Sequence, residues 1–354
     1  MKIWYSKYTL NPVVSLNGLS EDLNFRAGFL IKVDFGSDVI GFSDVHPWEE
    51  FGDESIEDQL AILKKYKAGE APLSKVLKRS LHFAQIDGQA RKDRVSLIGD
   101  KVGEITNNYL VTELSSWSAN QTLRVVRDGF KIMKVKMGSD LQGDTALLKA
   151  FVTLLKKGTS NTYIGYSSAL KIRLDFNSLI SSDDFIEWFG GVKEWLYPNL
   201  DYIEDPFPYD QEDWDRVSQK FQITFALDRE NRDFQQPVSN RHVIVVKPAV
   251  ENPYWIVEQL KRTSGKIAQP LDYDFVFTSY MDHPVGIASA VSEAIQFNAK
   301  FPGHLLSCGM LTHNLYQENN FSKEIEVKNG IVHFPGQNGI GFDDQLKNIS
   351  WKEL

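Results

Sequence analysis

Residues 131–138 read KIMKVKMG, an apolar run interrupted by Lys134 and Lys136. The run predicts a β-strand, and on a strand residues i and i+2 leave the same face. Two ammonium groups are therefore directed to one side, with little water if that side is a protein core. Such an arrangement needs a reason, and the neighbouring segments supply one.

Outward from this strand, short apolar runs alternate with longer amphipathic ones. The runs are NNYLVTE, KIMKVKMG, KIRLDFN, LDYIEDPF, ITFALDRE, HVIVVKPA, FVFTSY and HLLSCGM. Helical spacing marks DTALLKAFVTLLKK, DFIEWFGGVKEW, NPYWIVEQLKR and PVGIASAVSEAIQFNA. The connection from Glu230 to Arg241 is short and predicts little or no regular helix. Eight strands alternating with helices over ~210 residues predict a (β/α)8-type TIM barrel. A doubly wound open sheet is the competing architecture, but no Gly-x-Gly-x-x-Gly turn follows the first strand.

The first hundred residues have another texture. KIWYSKYTL and FRAGFLIKVDF read as strands, GFSDVHPWEEFGDES as a loop, and Ile56–Lys67 and Lys75–Arg94 as helices. That is an α+β domain. The tail from Glu324 is strand-like and Gly-rich, and is expected to return to it.

Bulk properties narrow the function. The net charge of −8 argues against nucleic acid, which requires clustered basic residues. Cys308 is the sole cysteine, so no disulfide forms within the chain and a reducing compartment is expected. MKIWYSKYTL has no apolar run after its lysine, and no stretch of 18 apolar residues occurs. A cytoplasmic protein without membrane or readable protein partners is the expectation.

The barrel strands carry charge at their C-terminal ends, where barrel sites lie. KIRLDFN ends with Asp175, LDYIEDPF with Glu204 and Asp205, ITFALDRE with Asp228, and HVIVVKPA with Lys247. Neighbouring strands lie about 4.8 Å apart, so three carboxylates from successive strands converge within ~10 Å. A hard divalent cation resolves their repulsion, and all-oxygen ligation suits Mg²⁺. Pairing of Arg173 and Lys134 with the same carboxylates, without a metal, is the simpler alternative.

The two lysines then acquire a purpose. A lysine acts as general base only when its ammonium form is disfavoured. Lys134, Lys247 and a divalent metal would all push Lys136 that way. With a substrate carboxylate on the metal, Lys136 would take the proton from the adjacent carbon. A metallohydrolase would add several histidine ligands, but the seven histidines are scattered. A catalytically dead binding barrel would have little reason to keep five such charges.

This ordered set resembles the enolase superfamily along nearly the whole chain. Lys134-x-Lys136, Arg173-x-Asp175-x-Asn177, Glu204-Asp205-Pro206, Asp228 in LDRE and Lys247-Pro248 match its second- to sixth-strand motifs. AQIDGQAR and PGQNGIGF look like its cap-to-barrel helix and closing cap segment. The resemblance implies a modified (β/α)7β barrel at 101–319 and a capping domain at 1–100, completed by 320–354. It also implies Lys136 as base, Asp175, Glu204 and Asp228 as Mg²⁺ ligands (Mn²⁺ as substitute), and Lys247 opposite the base.

Lys-x-Lys with Lys-Pro is similar to the muconate-lactonising subgroup of cycloisomerases, o-succinylbenzoate synthases, N-succinylamino acid racemases and dipeptide epimerases. GFSDVHPWEEFGDES, KIRLDFN and VFTSYMDHPVG look most like the synthases, although Ser43 and Asp44 stand where Gly and Glu are usual. HLLSCGML lacks the Asp-x-Asp of the epimerases, and Arg229 replaces a common Glu. The resemblance implies dehydration of a small carboxylate in menaquinone biosynthesis, with Lys134, Arg173, Asn177, Ser279 and Asp282 contacting substrate. Asn17–Asn24 and His46–Gly52 are expected to close over the mouth.

Overall fold

The computed structural model describes residues 1–354 except 15, 17–24, 100–104, 139, 161–169, 229–241, 264–272 and 337, with backbone alone over 157–160. The expected lid at Asn17–Asn24, Arg229, and the connection from Glu230 to Arg241 therefore lie outside the described residues.

Strands β1 (Lys2–Leu10), β2 (Arg26–Asp34) and β3 (Ile40–Val45) form an antiparallel sheet, followed by helices α1 (Ile56–Ala68) and α2 (Lys75–Lys92). Ser55 and Ser74 start these helices by accepting from the N–H groups of Asp58 and Leu77. The loop expected over GFSDVHPWEEFGDES is corrected in its first third. GFSDV belongs to β3, registered from Phe29–Val45 to Asp34–Ile40 on β2. Gly41 makes this pairing compatible with a helix behind it: a Cβ there would lie 1.7 Å from the Ala84 carbonyl oxygen of α2.

The second unit begins at β4 (Tyr109–Val111) and α3 (Ala119–Arg127), then β5 (Ile132–Lys136), α4 (Leu141–Ser160), β6 (Lys171–Asp175) and α5 (Ser182–Leu196). It continues through β7 (Leu200–Glu204), α6 (Gln211–Phe221), β8 (Phe225–Leu227), β9 (Val243–Val246), α7 (Pro253–Thr263), β10 (Phe275–Phe277) and α8 (Pro284–Lys300). β4 to β10 lie side by side in chain order as a parallel sheet. HLLSCGM, expected as the eighth strand, closes the ring through isolated bridges instead of a continuous ladder. Leu305 and Gly309 bridge to Phe275 and Thr278 on one side, and Cys308 to Asn107 on the other.

A hairpin of β11 (Glu326–Lys328) and β12 (Ile331–His333) follows, then α9 (Asp343–Lys347) and β13 (Lys352–Glu353). β13 pairs with β1, and Ile340 N–H donates to Asp87 of α2 at 2.9 Å, so the tail does return to the first sheet.

The core has separate parts. Between β4–β8 and helices α3–α6 pack Phe185, Trp188, Phe189, Trp214 and Phe225. Each fully buried ring of this kind contributes about 1.5–3 kcal/mol. Inside the barrel a smaller set, Tyr202, Ala226, Val243, Val245 and Val276, fills the space beneath the mouth. The first sheet has its own core around Phe29, Ile31, Leu63 and Leu77.

Candidate active site

Period-two alternation carries the inner residues upward. Tyr202, Ala226, Val245 and Val276 line the barrel interior. Two positions further stand Glu204, Asp228, Lys247 and Thr278, at the C-terminal ends of β7, β8, β9 and β10. β5 presents Lys134 and Lys136 in the same way, and β6 Arg173 and Asp175. Strand register places Lys136 beside Asp175 and Asp175 beside Glu204. Lys134, Lys136, Asp228 and Lys247 line one cavity with Ser279 and Thr312. A larger cleft, about 600 Å³, opens at the opposite end of the strands beside Thr224 and His242. It holds none of these groups.

The charges are paired. Lys134 Nζ lies 2.9 Å from Asp175 and 2.5 Å from Glu204, Lys136 donates to Asp175, and Lys247 donates to Asp228. Burial disfavours the Lys134 ammonium, but Asp175 and Glu204 outweigh it and raise its pKa well above the ordinary lysine value. Lys134, expected to add positive charge beside Lys136, is here paired with two carboxylates. Lys247 is raised likewise, burial being outweighed by Asp228. Asp175 is held far below the usual range, because both lysines overcome the cost of burial. Glu204 is pushed up to about 8 by burial and then by the Asp175 charge.

Local turns hold the carboxylates. Asn177 and Asp205 have left-handed backbone, at φ 49° and 40°, just past Asp175 and Glu204. Asn177 N–H donates to Asp175 Oδ1 at 3.1 Å, and Asp228 N–H to Asp205 Oδ1 at 3.2 Å.

The donor chemistry fits a hard cation. Asp175, Glu204 and Asp228 are all-oxygen donors on adjacent strands, and Glu204 Oε2 is buried without accepting a hydrogen bond. Among the described residues no three His, Cys, Asp or Glu side chains are gathered as they stand around one ion position. Lys134 bridges Asp175 and Glu204, whereas Asp228 pairs with Lys247.

Ser279 reaches the cavity, where its hydroxyl lies 2.5 Å from that of Thr312. Asn177 serves the Asp175 turn and is not among the cavity's lining residues. Two substrate-contact expectations are corrected. Arg173 is 0% exposed, donating to Asp201 at 2.7 Å and the Ser307 carbonyl at 2.6 Å above the Tyr202 ring. It braces the barrel interior. Asp282 is buried against Asp44 of β3: a Cβ on Gly286 would lie 2.5 Å from Asp282 Oδ2 and 2.8 Å from Asp44 Oδ2. Burial pushes Asp282 up to about 7. His46–Gly52 leans on the turn after β10, with Trp48 against Tyr280 at 5.8 Å, and does not line the cavity. Thr312, Asn108 and Leu311 line it without having been singled out in sequence. They lack charge, and their segments carry no motif.

Residues 3–90 match the family described as O-succinylbenzoate synthase, N-terminal domain, and residues 117–345 match Enolase C-terminal domain-like. An o-succinylbenzoate synthase of Bdellovibrio bacteriovorus is 32% identical over 355 residues, spanning 100% of this chain and 99% of that protein. The chain belongs to the o-succinylbenzoate synthase family of the enolase superfamily. It is a lyase-type enzyme by that membership.

Solved structures share this chain's fold at low identity. A dipeptide epimerase from Enterococcus faecalis, complexed with Mg and a dipeptide, aligns with TM-score 0.70 and 12% identity over 96% of this chain and 98% of that one. A muconate lactonizing enzyme from Pseudomonas fluorescens, complexed with muconolactone, gives 0.71 and 13% over 96% and 95%. Among the described residues no helix is long and apolar enough to cross a membrane.

Proposed function

We propose that the chain dehydrates 2-succinyl-6-hydroxy-2,4-cyclohexadiene-1-carboxylate to 2-succinylbenzoate, as a cytoplasmic step of menaquinone biosynthesis. The observation that carries this reading is the placement of Lys136 and Lys247, on β5 and just past β9, around one cavity with carboxylates between them. The 32% identity to an o-succinylbenzoate synthase supports this reaction among those that two lysines can perform.

Lys136 takes the proton from the ring carbon bearing the carboxylate. The electron pair left behind spreads onto the carboxylate oxygens, where the Lys247 ammonium stabilises it. Lys136 then returns its proton to the departing hydroxyl, the C–O bond breaks, and water leaves as the ring becomes aromatic. Acceptor and donor are one group on one face, so the elimination is syn. Asp175, Glu204 and Asp228 would hold Mg²⁺ or Mn²⁺, which when bound supplies positive charge to the substrate carboxylate. Ser279 and Thr312 offer hydroxyls to the remainder of the substrate.

The same two lysines suit a second reading, racemisation of an N-succinylamino acid, in which both faces exchange protons. Assay of the cyclohexadiene beside solvent-deuterium exchange into an N-succinylamino acid decides between them. Fast dehydration with negligible exchange supports the synthase; efficient two-face exchange with slow dehydration overturns it.

A further inference from the structure

The core of the first sheet extends under one half of the site. Val250, three residues past Lys247, and Tyr280, next to Ser279, are buried in it with Leu77, Leu81 and Ala84 of α2. From the same helix Arg79, 6% exposed, donates from Nε to the Pro248 carbonyl oxygen at 2.8 Å. Its Nη2 pairs with Glu293 of α8. Pro248 directly follows Lys247.

The Lys247 main chain is also fastened from its other side. Its N–H donates to Glu251 Oε2 at 2.8 Å, and its carbonyl accepts from the N–H groups of Val250 and Glu251 at 3.0 and 2.9 Å. The opposite half of the site is built differently. The strands carrying Lys134, Lys136, Asp175 and Glu204 are backed by a core that contains no described residue from the first hundred.

We propose that Arg79 is a positioning residue for Lys247, holding the peptide after it so that the seating of α2 sets where the ammonium sits. The inference rests on the reading that Lys247 faces the reacting carboxylate. Arginine suits the task because one planar fork serves two acceptors in fixed directions. Arg79 reaches Pro248 and Glu293 from two separate nitrogens; a lysine would have to serve both from one point and, drawn to the Glu293 charge, would leave the neutral Pro248 carbonyl.

The test compares Arg79→Lys with Glu293→Gln in the full chain. Arg79→Lys retains a cation for the buried Glu293 and loses the Pro248 contact. Its kcat is expected to fall by about tenfold or more with KM within about twofold, since small misplacements of a reacting group are costly. Amide exchange at Val250 and Glu251 should accelerate, and Mg²⁺ affinity by calorimetry should not change. Glu293→Gln should lower the melting temperature yet keep kcat within about twofold, because Arg79 still reaches Pro248.

Two results would overturn the proposal: a folded Arg79→Lys with wild-type kcat and exchange, or parallel kcat losses in both variants that track their melting temperatures. If the wild-type chain fails to dehydrate the cyclohexadiene, the functional reading falls. The exchange at Val250 and Glu251 then still decides whether Arg79 holds that turn.

Discussion

Lys134 and Lys136 form ion pairs with one and the same oxygen, Asp175 Oδ2, the first at 2.9 Å. Two like charges on one strand face are thus held by a shared carboxylate, with Glu204 as a second partner of Lys134. Asp175→Asn should therefore destabilise the chain by about 3 kcal/mol or more, the cost of breaking a buried ion pair. Urea unfolding of the folded variant measures this. A wild-type midpoint would mean that Glu204 alone suffices for the pair.

Chelation tests the metal. Excess EDTA should abolish dehydration, with recovery on adding Mg²⁺ or Mn²⁺. Asp228→Asn should weaken Mg²⁺ binding by calorimetry while circular dichroism stays unchanged. Full turnover in chelator would remove the cation from the mechanism.

The lysines should respond unequally. Lys136→Ala should lower kcat by about 10²–10⁴-fold or more, the contribution of a general base, with substrate affinity retained. Lys247 acts by charge, so Lys247→Arg should retain measurable dehydration where Lys247→Ala loses nearly all of it. Equal losses in the two Lys247 variants would show that Lys247 also transfers a proton.

Asp282 gives a stability effect that depends on pH. Burial raises its folded pKa to about 7, and burial with the nearby Asp282 charge raises Asp44 in the same direction. An unfolded Asp titrates near ~3.9. Between those values the folded chain binds the extra proton, so stability falls as pH rises from about 4 to 7. Asp282→Asn should match the wild type in thermal melts below about pH 4, exceed it increasingly as pH rises, and hold that advantage at pH 8. A variant that loses as much stability as the wild type over that range would refute the assignment.

Where charge sat on a strand end, sequence was enough to place it. Lys136, Asp175, Glu204, Asp228 and Lys247 follow from period-two alternation, because a single face of each strand can enter the barrel. Elements defined by distant partners were harder to read. GFSDV lacks a continuous apolar pattern and becomes a strand because β2 pairs with it and α2 covers it at Gly41. Arg173 and Asp282 are charged and adjacent to motif residues, yet their partners, Asp201 with the Ser307 carbonyl and Asp44, come from other segments. Local sequence carries no signal for those meetings. Thr312 is an ordinary threonine until the turn after β10 brings Ser279 to it.

The isolated bridges that close the barrel bear on how the chain acquires its shape. Cys308 N–H donates to the Thr106 carbonyl at 2.7 Å, and Asn108 N–H to the Cys308 carbonyl at 2.8 Å. Contacts spanning that much sequence carry a large loop-closure entropy and form late. Until they form, β4 and β10 are two unpaired sheet edges, open to another copy of the chain. Refolding should thus be clean when dilute and lose material to aggregation as concentration rises, with this seam the last to gain protection.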